Sequence, residues 1–282
     1  ISMKIQLVQD PTPASTSHPV AERTRYSACP LCEGQSFATL KEVDGSQDPL
    51  MGPEVDPSWS WNGCETCGHI FVDGYLQESV LEQVRTRGAL VPSSGAEFAA
   101  KRQAAAAVVH RISSMRGCID GVWLDVGFGS GELLCTANEF GYDVVGLDMR
   151  ESAVLHAPDL GFEAAVAPLE ALEGKELYDV ISLSNVLDQT VSPLETLKAA
   201  CRLLRSGGVV FIATPNLDSR AWHQQETSGQ NSEWSEIERT QLFSREHLYW
   251  AMRRVGLEPC DYMSSPSSPV GMEVCATLAS DG

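Results

Sequence analysis

Three glycines follow an acidic residue at the end of a short apolar run. The run Val122–Val126 contains Asp125 and leads into residues 127–131, which read Gly-Phe-Gly-Ser-Gly, and Glu132 then opens a helical pattern. Glycine adopts left-handed backbone dihedrals without strain, and its missing Cβ lets a ligand approach the unpaired N–H groups at a helix start. The pattern therefore predicts a strand, a tight turn and a helix, with a polar ligand bound at the turn.

The chemistry of the ligand follows from two acidic residues near the turn. In a dinucleotide-binding fingerprint the third small residue would fall on Glu132, whose carboxylate would face a pyrophosphate. The next strand-like run, Val144–Leu147, ends in Asp148, about 20 residues beyond the glycines, where an acidic side chain binds ribose hydroxyls. The sequence thus favours a ligand with a ribose and no pyrophosphate.

The same residues carry a resemblance to a known family. The order Leu-Asp-hydrophobic-Gly-x-Gly-x-Gly, followed by an acidic residue after the second strand, resembles the class I S-adenosylmethionine-dependent methyltransferases. Residues 178–185 are similar to the fourth strand of that family, and residues 203–216 to the run into its fifth strand. The resemblance covers roughly residues 120 to 282 and implies an enzyme that uses S-adenosylmethionine.

The resemblance also implies which residues bind this cofactor. The glycine turn would approach the methionine part mainly through its backbone, and Asp125 would orient the turn. Asp148 would bind the ribose, two apolar side chains would enclose the adenine, and Asn185 would lie near the sulfonium. The predicted cofactor-binding set is Asp125, Gly127, Phe128, Gly129, Asp148, Met149, Pro168, Leu169 and Asn185.

The chain departs from the family where a general base is expected. Relatives often carry Glu-His after the fourth strand, where this chain reads Asp188-Gln189. Relatives also often carry a histidine a few residues before the Phe-Ser that is here Phe243-Ser244, and this chain has none there. The family's base therefore cannot be transferred to this chain.

Three other residues are candidates for catalysis. His223 lies in the segment after the fifth strand and is the favoured base, with Asp188 and His247 as the others. Two of them have a structural alternative: Asp188 as an exposed loop or helix-cap residue, and His247 as a packed histidine on its helix.

The segment from residue 216 to 243 is predicted to recognise the methyl acceptor. It carries Trp222, His223, Trp234 and Arg239, and small-molecule pockets combine aromatic side chains with a few polar groups. The alternative is a surface loop anchored by its two tryptophans.

A second chemical signature lies near the start of the chain. Cys29 and Cys32 form one Cys-x-x-Cys pair, and Cys64 and Cys67 form another, with Gly68 next to the second pair. Two such knuckles place four thiolates around one Zn²⁺ and leave no open coordination position, which predicts a structural metal. Disulfides or reduced thiols are the alternatives.

These elements predict three units. Residues 1–75 would form a zinc ribbon, residues 76–118 a helical linker or lid, and residues 119–282 a cofactor-binding domain. In the lid, Tyr75 and residues 85–90 would lie near the methionine end of the cofactor. Strands are expected near residues 122–126, 143–147, 162–166, 179–183, 208–213, 257–263 and 271–279. Alternation of these strands with helices predicts an α/β, Rossmann-like, seven-stranded, mostly parallel sheet with helices on both faces.

The composition limits the kinds of molecule that the protein is expected to bind. The 282 residues are 43% hydrophobic and carry a formal net charge of −18. This negative charge argues against a nucleic-acid partner. The sequence shows no apolar run long enough to span a membrane and no signal-peptide pattern, so a cytoplasmic location is expected. A ribbon followed by this domain resembles methyltransferases of natural-product and sugar pathways, which implies a small-molecule acceptor. An RNA or protein methyltransferase and a noncatalytic interaction platform are the alternatives, and the oligomeric state is left open.

Overall fold

The computed structural model describes residues 20–88 and 95–279. The strands are β1 (Thr24–Arg25), β2 (Phe37–Asp44), β3 (Ser58–Cys64), β4 (Ile70–Val72), β5 (Gly74–Tyr75), β6 (Val122–Val126), β7 (Asp143–Leu147), β8 (Glu163–Ala165), β9 (Tyr178–Ser184), β10 (Leu204–Pro215), β11 (Gln241–Leu242), β12 (Leu257–Ser264) and β13 (Gly271–Leu278). The α-helices are α1 (Glu78–Arg87), α2 (Gly95–Arg116), α3 (Glu132–Phe140), α4 (Glu151–Leu160), α5 (Pro193–Leu203), α6 (Arg220–Ser228) and α7 (Arg245–Arg254).

The larger sheet has seven strands in the order β12-β13-β10-β9-β6-β7-β8. Strands β6 to β10 run parallel, while β13 pairs antiparallel with both β10 and β12. The predicted α/β fold is thus confirmed, and β10 begins at Leu204, earlier than expected. From β6 the chain continues to β7 and β8 on one side, and it then returns to β9 on the other side of β6. The strand order therefore reverses between β6 and β9, and sheets of this kind bind ligands beyond the carboxyl ends of the strands at that point.

Side chains alternate between two buried layers along the central strands. Trp123, Val180 and Phe211 face a cluster that includes residues of α2, α3 and α4. Their neighbours in sequence face a second cluster, packed against α5 and α7. Because successive residues of a strand point to opposite faces, a strand covered on both sides must be apolar nearly throughout. The central strands are therefore short apolar runs.

The smaller sheet has four strands in the order β11-β4-β3-β2. Three of them come from the predicted ribbon, and β11 comes from residue 241 onward, with Gln241 opposite Phe71 and Leu242 opposite Ile70. The buried ribbon residues Leu31 and Phe71 belong to the same hydrophobic cluster as Phe243 and Leu248. The ribbon therefore shares a sheet and a core with the larger domain, across the boundary expected at residue 75.

The two helices of the expected lid have different surroundings. Val109 and Ile112 of α2 are fully buried in the cluster on one face of the large sheet, so α2 belongs to its helical layer. Helix α1 packs through Leu81 and Val84 on Val55 of the ribbon and Ile237. The lid role of α1 stays a prediction, and residues 89 and 90 of that prediction lie outside the described residues. Among residues 20–88 and 95–279, no helix is both long enough and apolar enough to cross a membrane.

Candidate functional site

The glycine turn follows β6 with three left-handed residues. Gly127, Gly129 and Gly131 have φ angles of +70°, +56° and +81°, a region that side chains with a Cβ rarely adopt. A Cβ added at Gly129 would meet no atom within 4 Å, whereas one at Gly127 would lie 3.0 Å from Cγ2 of Val186. The turn is therefore open above Gly129 and in contact with residues after β9 at Gly127.

Asp148 is joined to the glycine turn by a hydrogen bond. Its Oδ2 accepts from the backbone N–H of Gly129 at 2.9 Å, and its Oδ1 accepts from the N–H of Arg150 at 2.8 Å. Only 3% of the residue is exposed. Each carboxylate oxygen has a second lone pair beyond these bonds.

Asp125 is buried beneath the turn. Its Oδ1 accepts a hydrogen bond from Oγ of Ser182 at 2.5 Å. The same Oγ accepts a hydrogen bond from the indole N–H of Trp123 at 2.9 Å. Burial raises the pKa of Asp125 to about 7, the Ser182 hydrogen bond opposes this, and the nearby charges of Asp148 and Glu132 add to it. Asp125 therefore contacts β9, and its role in orienting the turn stays a prediction.

The other predicted cofactor residues follow neighbouring strands. Phe128 turns its ring into the core against Phe162, with ring centroids 5.4 Å apart, so only its backbone faces the turn. Asn185 follows β9 with φ +53° and donates its N–H to the carbonyl of Ala213. Met149 is half-buried, Pro168 is exposed, and Leu169 is buried at the start of a short 3-10 helix. Their roles toward a ligand remain predictions.

Asp188 forms a buried ion pair. It has no exposed surface, and its Oδ2 lies 3.2 Å from Nε of Arg239, which also pairs with Glu233 and Glu236. Burial raises the pKa of Asp188, and the Arg239 charge opposes this. The carboxylate is enclosed, which suits an anchor of the loop better than a base that meets an acceptor.

The two histidine candidates lie apart from each other. His247 donates through Nε2 to the carbonyl of Cys67 at 2.8 Å, which places it at the second cysteine knuckle. His223 is exposed on α6, beside a surface depression that Asp218 and Arg220 also line. Of the three candidate bases, His223 is the exposed one.

The tryptophans of the 216–243 segment pack against the ribbon. Trp222 and Trp234 join Trp59 and Trp61 in one cluster, and the Trp61 indole N–H donates to the Trp234 carbonyl at 2.8 Å. Both segment tryptophans are buried, which corresponds to the anchoring alternative. They hold the segment onto the ribbon.

The four predicted metal ligands converge. The sulfur atoms of Cys29, Cys32, Cys64 and Cys67 lie within 4.8 Å of one another, with 3.8 Å between Cys29 and Cys67 and 3.5 Å between Cys32 and Cys64. Tetrahedral Zn²⁺ with Zn–S bonds of about 2.3 Å requires sulfur separations of about 3.8 Å. The donor set fits one structural Zn²⁺.

Sequence reasoning missed the residue that joins this centre to the rest of the site. Gln241 is fully buried, and its side chain bonds to His69 beside the second knuckle and to the carbonyl of Thr190 after β9. Gln241 stands in a stretch without periodic apolar spacing, so no local signal marks it.

Comparison with known proteins decides the family. Residues 96–261 match the family model described as "Methyltransferase domain". The chain belongs to the methyltransferase domain family. The assignment from sequence to class I S-adenosylmethionine-dependent methyltransferases is thereby confirmed, and with it the expectation of an enzyme.

The relatives of this methyltransferase include ubiquinone biosynthesis O-methyltransferases. The protein of Aliivibrio fischeri (strain MJ11) is 34% identical over 107 residues, which are 35% of this chain and 46% of that protein. The protein of Serratia proteamaculans is 31% identical over 131 residues, 40% of this chain and 54% of that protein. The chain thus matches about half the length of these curated relatives.

Solved structures share the fold. Magnesium protoporphyrin IX methyltransferase from Synechocystis PCC 6803, with bound S-adenosylhomocysteine, has a TM-score of 0.56 at 15% identity and covers 72% of this chain and 100% of its own. The 1,6-didemethyltoxoflavin-N1-methyltransferase of Burkholderia thailandensis has a TM-score of 0.54 at 16% identity. It covers 76% of this chain and 97% of its own.

Proposed function

We propose that this protein transfers the methyl group of S-adenosylmethionine to an oxygen, nitrogen or carbon atom of a small molecule. The observation that carries the proposal is the Asp148 carboxylate, fixed by the Gly129 N–H at the open side of the glycine turn. An acidic group at the end of the second parallel strand, beside a glycine turn, suits a ribose diol.

The cofactor would supply an electrophilic methyl on a sulfonium, and the protein's own task is alignment. In-line displacement is accelerated chiefly by holding the reacting atoms in position. The glycine turn would hold the methionine part, Asp148 would hold the ribose, and the residues after β9 would border the methyl group. Where the acceptor must lose a proton, His223 is our candidate base because it is exposed, whereas Asp188 is enclosed.

Several observations support a small-molecule acceptor. The curated relatives are named as ubiquinone biosynthesis O-methyltransferases, and the two solved neighbours are named for magnesium protoporphyrin IX and 1,6-didemethyltoxoflavin. A net charge of −18 opposes a polyphosphate acceptor. We further propose that the acceptor belongs to secondary-metabolite or sugar biosynthesis, because the cysteine knuckles precede the methyltransferase domain as they do in enzymes of those pathways.

Calorimetric titration with S-adenosylmethionine tests the proposal. Wild type should bind, and Asp148→Ala should weaken binding by about 1–3 kcal/mol, the cost of losing a charged acceptor. Asp143→Ala is the matched control, because Asp143 is exposed at the start of β7, the strand that Asp148 follows, and its loss should leave affinity unchanged. Absence of binding by wild type at millimolar cofactor would refute the proposed activity.

The acceptor can be sought with a panel of phenols, amines and nucleotide-linked sugars, followed by transfer of a labelled methyl group. With an acceptor in hand, His223→Gln should lower kcat by about 10²-fold or more if His223 removes the proton. An unchanged kcat would exclude His223 as the base while leaving the proposed activity intact.

A further inference from the structure

The exit loop, residues 185–191, connects the cofactor side of the large sheet to the ribbon. It begins directly after β9, and its Val186 approaches the glycine turn at Gly127. The N–H groups of Gln189 and Thr190 both donate to the carbonyl of Val186 at 3.0 Å. The loop is therefore a compact turn whose position sets one wall of the proposed methyl site.

The far side of the exit loop is held by β11 and the residue before it. The carbonyl of Asp188 accepts from the N–H of Thr240 at 2.7 Å and from that of Gln241 at 3.0 Å. Oγ1 of Thr240 donates to the carbonyl of Thr190 at 2.8 Å. Since β11 is an edge strand of the ribbon sheet, the exit loop is bonded to the ribbon sheet through its backbone.

The side chain of Gln241 extends this connection to the second cysteine knuckle. Its Oε1 accepts from Nε2 of His69 at 2.8 Å, and its Nε2 donates to the Tyr26 hydroxyl at 3.0 Å and to the Thr190 carbonyl at 3.3 Å. The Tyr26 hydroxyl in turn donates to the carbonyl of Val191 at 3.0 Å. One buried amide thus bonds both to the ribbon and to the exit loop.

The position of His69 depends on the metal knuckle. Its carbonyl accepts from the N–H of Cys64 at 2.9 Å, and Gly68 with φ +79° makes the turn between Cys67 and His69. The imidazole is fully buried beside the rings of Phe71 and Phe243. A shift of the knuckle would therefore move the group to which Gln241 bonds.

We infer that Gln241 is a positioning residue that ties the exit loop to the zinc knuckle, so that the metal site orders the acceptor-side wall of the methyl site. The inference rests on the proposed function for the meaning of that wall. It gives the ribbon a role in catalysis without contact between the metal and the substrate. Asp148 and Gly129, on the other side of the turn, take no part in these bonds and should hold the cofactor independently.

Hydrogen exchange of the zinc-loaded full chain tests the inference. In Gln241→Leu the amides of Gln189 and Thr190 should exchange about tenfold faster than in wild type, the equivalent of one lost buried hydrogen bond. Zinc content by atomic emission should stay at that of wild type, and exchange in β6 and β7 should be unchanged. Gln35→Leu is the control, because Gln35 is an exposed glutamine of the ribbon.

Two further measurements separate positioning from general support of the fold. Affinity for S-adenosylhomocysteine should stay within about threefold of that of wild type. A threefold change in affinity corresponds to less free energy than one hydrogen bond contributes. With an acceptor from the panel, kcat should fall while KM for S-adenosylmethionine holds. Faster exchange throughout both sheets would overturn the inference, as would unchanged exchange at Gln189 and Thr190 with zinc retained.

Tyr26→Phe provides a milder variant should Gln241→Leu fail to fold. It removes only the hydroxyl between Gln241 and Val191, so exchange in the exit loop should quicken by about threefold, a fraction of a full hydrogen bond. No change in the loop would contradict the inference. Wild type that fails to bind S-adenosylhomocysteine would refute the proposed function instead, without altering the exchange result.

Discussion

The two sheets of this protein are stabilised by different means. In the seven-stranded sheet, β9 has buried residues at nearly every position because helices cover both faces. In the four-stranded ribbon sheet, none of the residues of β2 is buried, and β3 is buried at alternate positions along much of its length. Apolar burial on both faces stabilises the first sheet, whereas in the second sheet one strand has no buried residue.

Three features stabilise the ribbon. The cysteine cluster can hold a metal, a tryptophan cluster joins the ribbon to Trp222 and Trp234, and β11 adds a strand from the methyltransferase domain. Two of these features come from the segment after β10. The ribbon is therefore an attached layer of the methyltransferase domain, and its order and that of residues 216–243 depend on each other.

Loss of the metal should change the protein most. Cys64→Ser should release Zn²⁺ and unfold the ribbon, because structural zinc contributes on the order of 10 kcal/mol to small metal domains. The large sheet should stay folded and retain cofactor binding, since Asp148 and the glycine turn lie outside the ribbon. Atomic emission, far-UV circular dichroism and calorimetry measure the three expectations.

Cys260→Ser is the control for this substitution, because Cys260 is an exposed cysteine outside the cluster. It should keep both metal and stability. Full retention of metal by Cys64→Ser would contradict a four-thiolate site, and cooperative loss of both sheets would show that they form one folding unit.

The large sheet could be predicted from the sequence because its signals are local. Each central strand is a short apolar run, each is followed by a helical pattern, and the residues that follow β6, β7 and β9 meet at one edge. The glycine turn, Asp148 and the cysteine pairs were identifiable because their chemistry requires particular residue types at fixed spacing. The four cysteine sulfurs converge, and Asp148 is hydrogen-bonded to the glycine turn.

The connection between ribbon and exit loop could not be predicted in this way. Strand β11 has two residues and pairs with β4, far away in sequence. Asp188 was expected to be a base or an exposed loop or helix-cap residue. It is instead buried beside Arg239, whose position depends on the fold of residues 216–243. Trp222 and Trp234 resembled pocket residues because a buried aromatic and a pocket aromatic look alike in a single sequence.

A large-to-small substitution in β9 should destabilise the large sheet and leave the metal site of the ribbon intact. Ile181→Ala should lower the free energy of unfolding by about 2–5 kcal/mol, through lost burial and the cavity that remains. Zinc content should not change, because Ile181 is fully buried in the large sheet. Urea denaturation measures the loss, with Leu155→Ala, at a side chain 71% exposed, as a control expected to change little. Loss of zinc from Ile181→Ala would show that the ribbon cannot persist without an intact large sheet.

The pH dependence of stability should reveal the buried carboxyl of the large sheet. The pKa of Asp125 is about 7 in the folded protein, against an ordinary value of about 4. The folded state therefore holds a proton that the unfolded state has lost, and Asp125 makes the free energy of unfolding fall by about 1.4 kcal/mol per pH unit between these values. Asp125→Asn should remove this component, which the difference between variant and wild-type denaturation curves from pH 4 to 8 isolates. Equal slopes would show that the carboxyl is ionised throughout.

The smallest effect is expected at an ion pair that links α1 and the turn after β7. Oε2 of Glu238 lies 2.6 Å from Nη2 of Arg150, and its Oε1 lies 3.5 Å from Nε of Arg85 on α1. The Glu238 side chain is 10% exposed, so Glu238→Gln should cost more than a surface pair, about 1 kcal/mol. Glu195→Gln removes the exposed pair with Lys198 and serves as the control, with an expected loss near zero.

The size of the Glu238 effect relative to the others shows how α1 is connected to the turn after β7. If packing of Leu81 and Val84 on Ile237 dominates, Glu238→Gln will change stability little and show weak dependence on salt. If it costs as much as Ile181→Ala, charge rather than packing connects these elements to the large sheet. Cofactor affinity would then fall as salt rises, because the N–H of Arg150 is bonded to the ribose-binding carboxylate of Asp148.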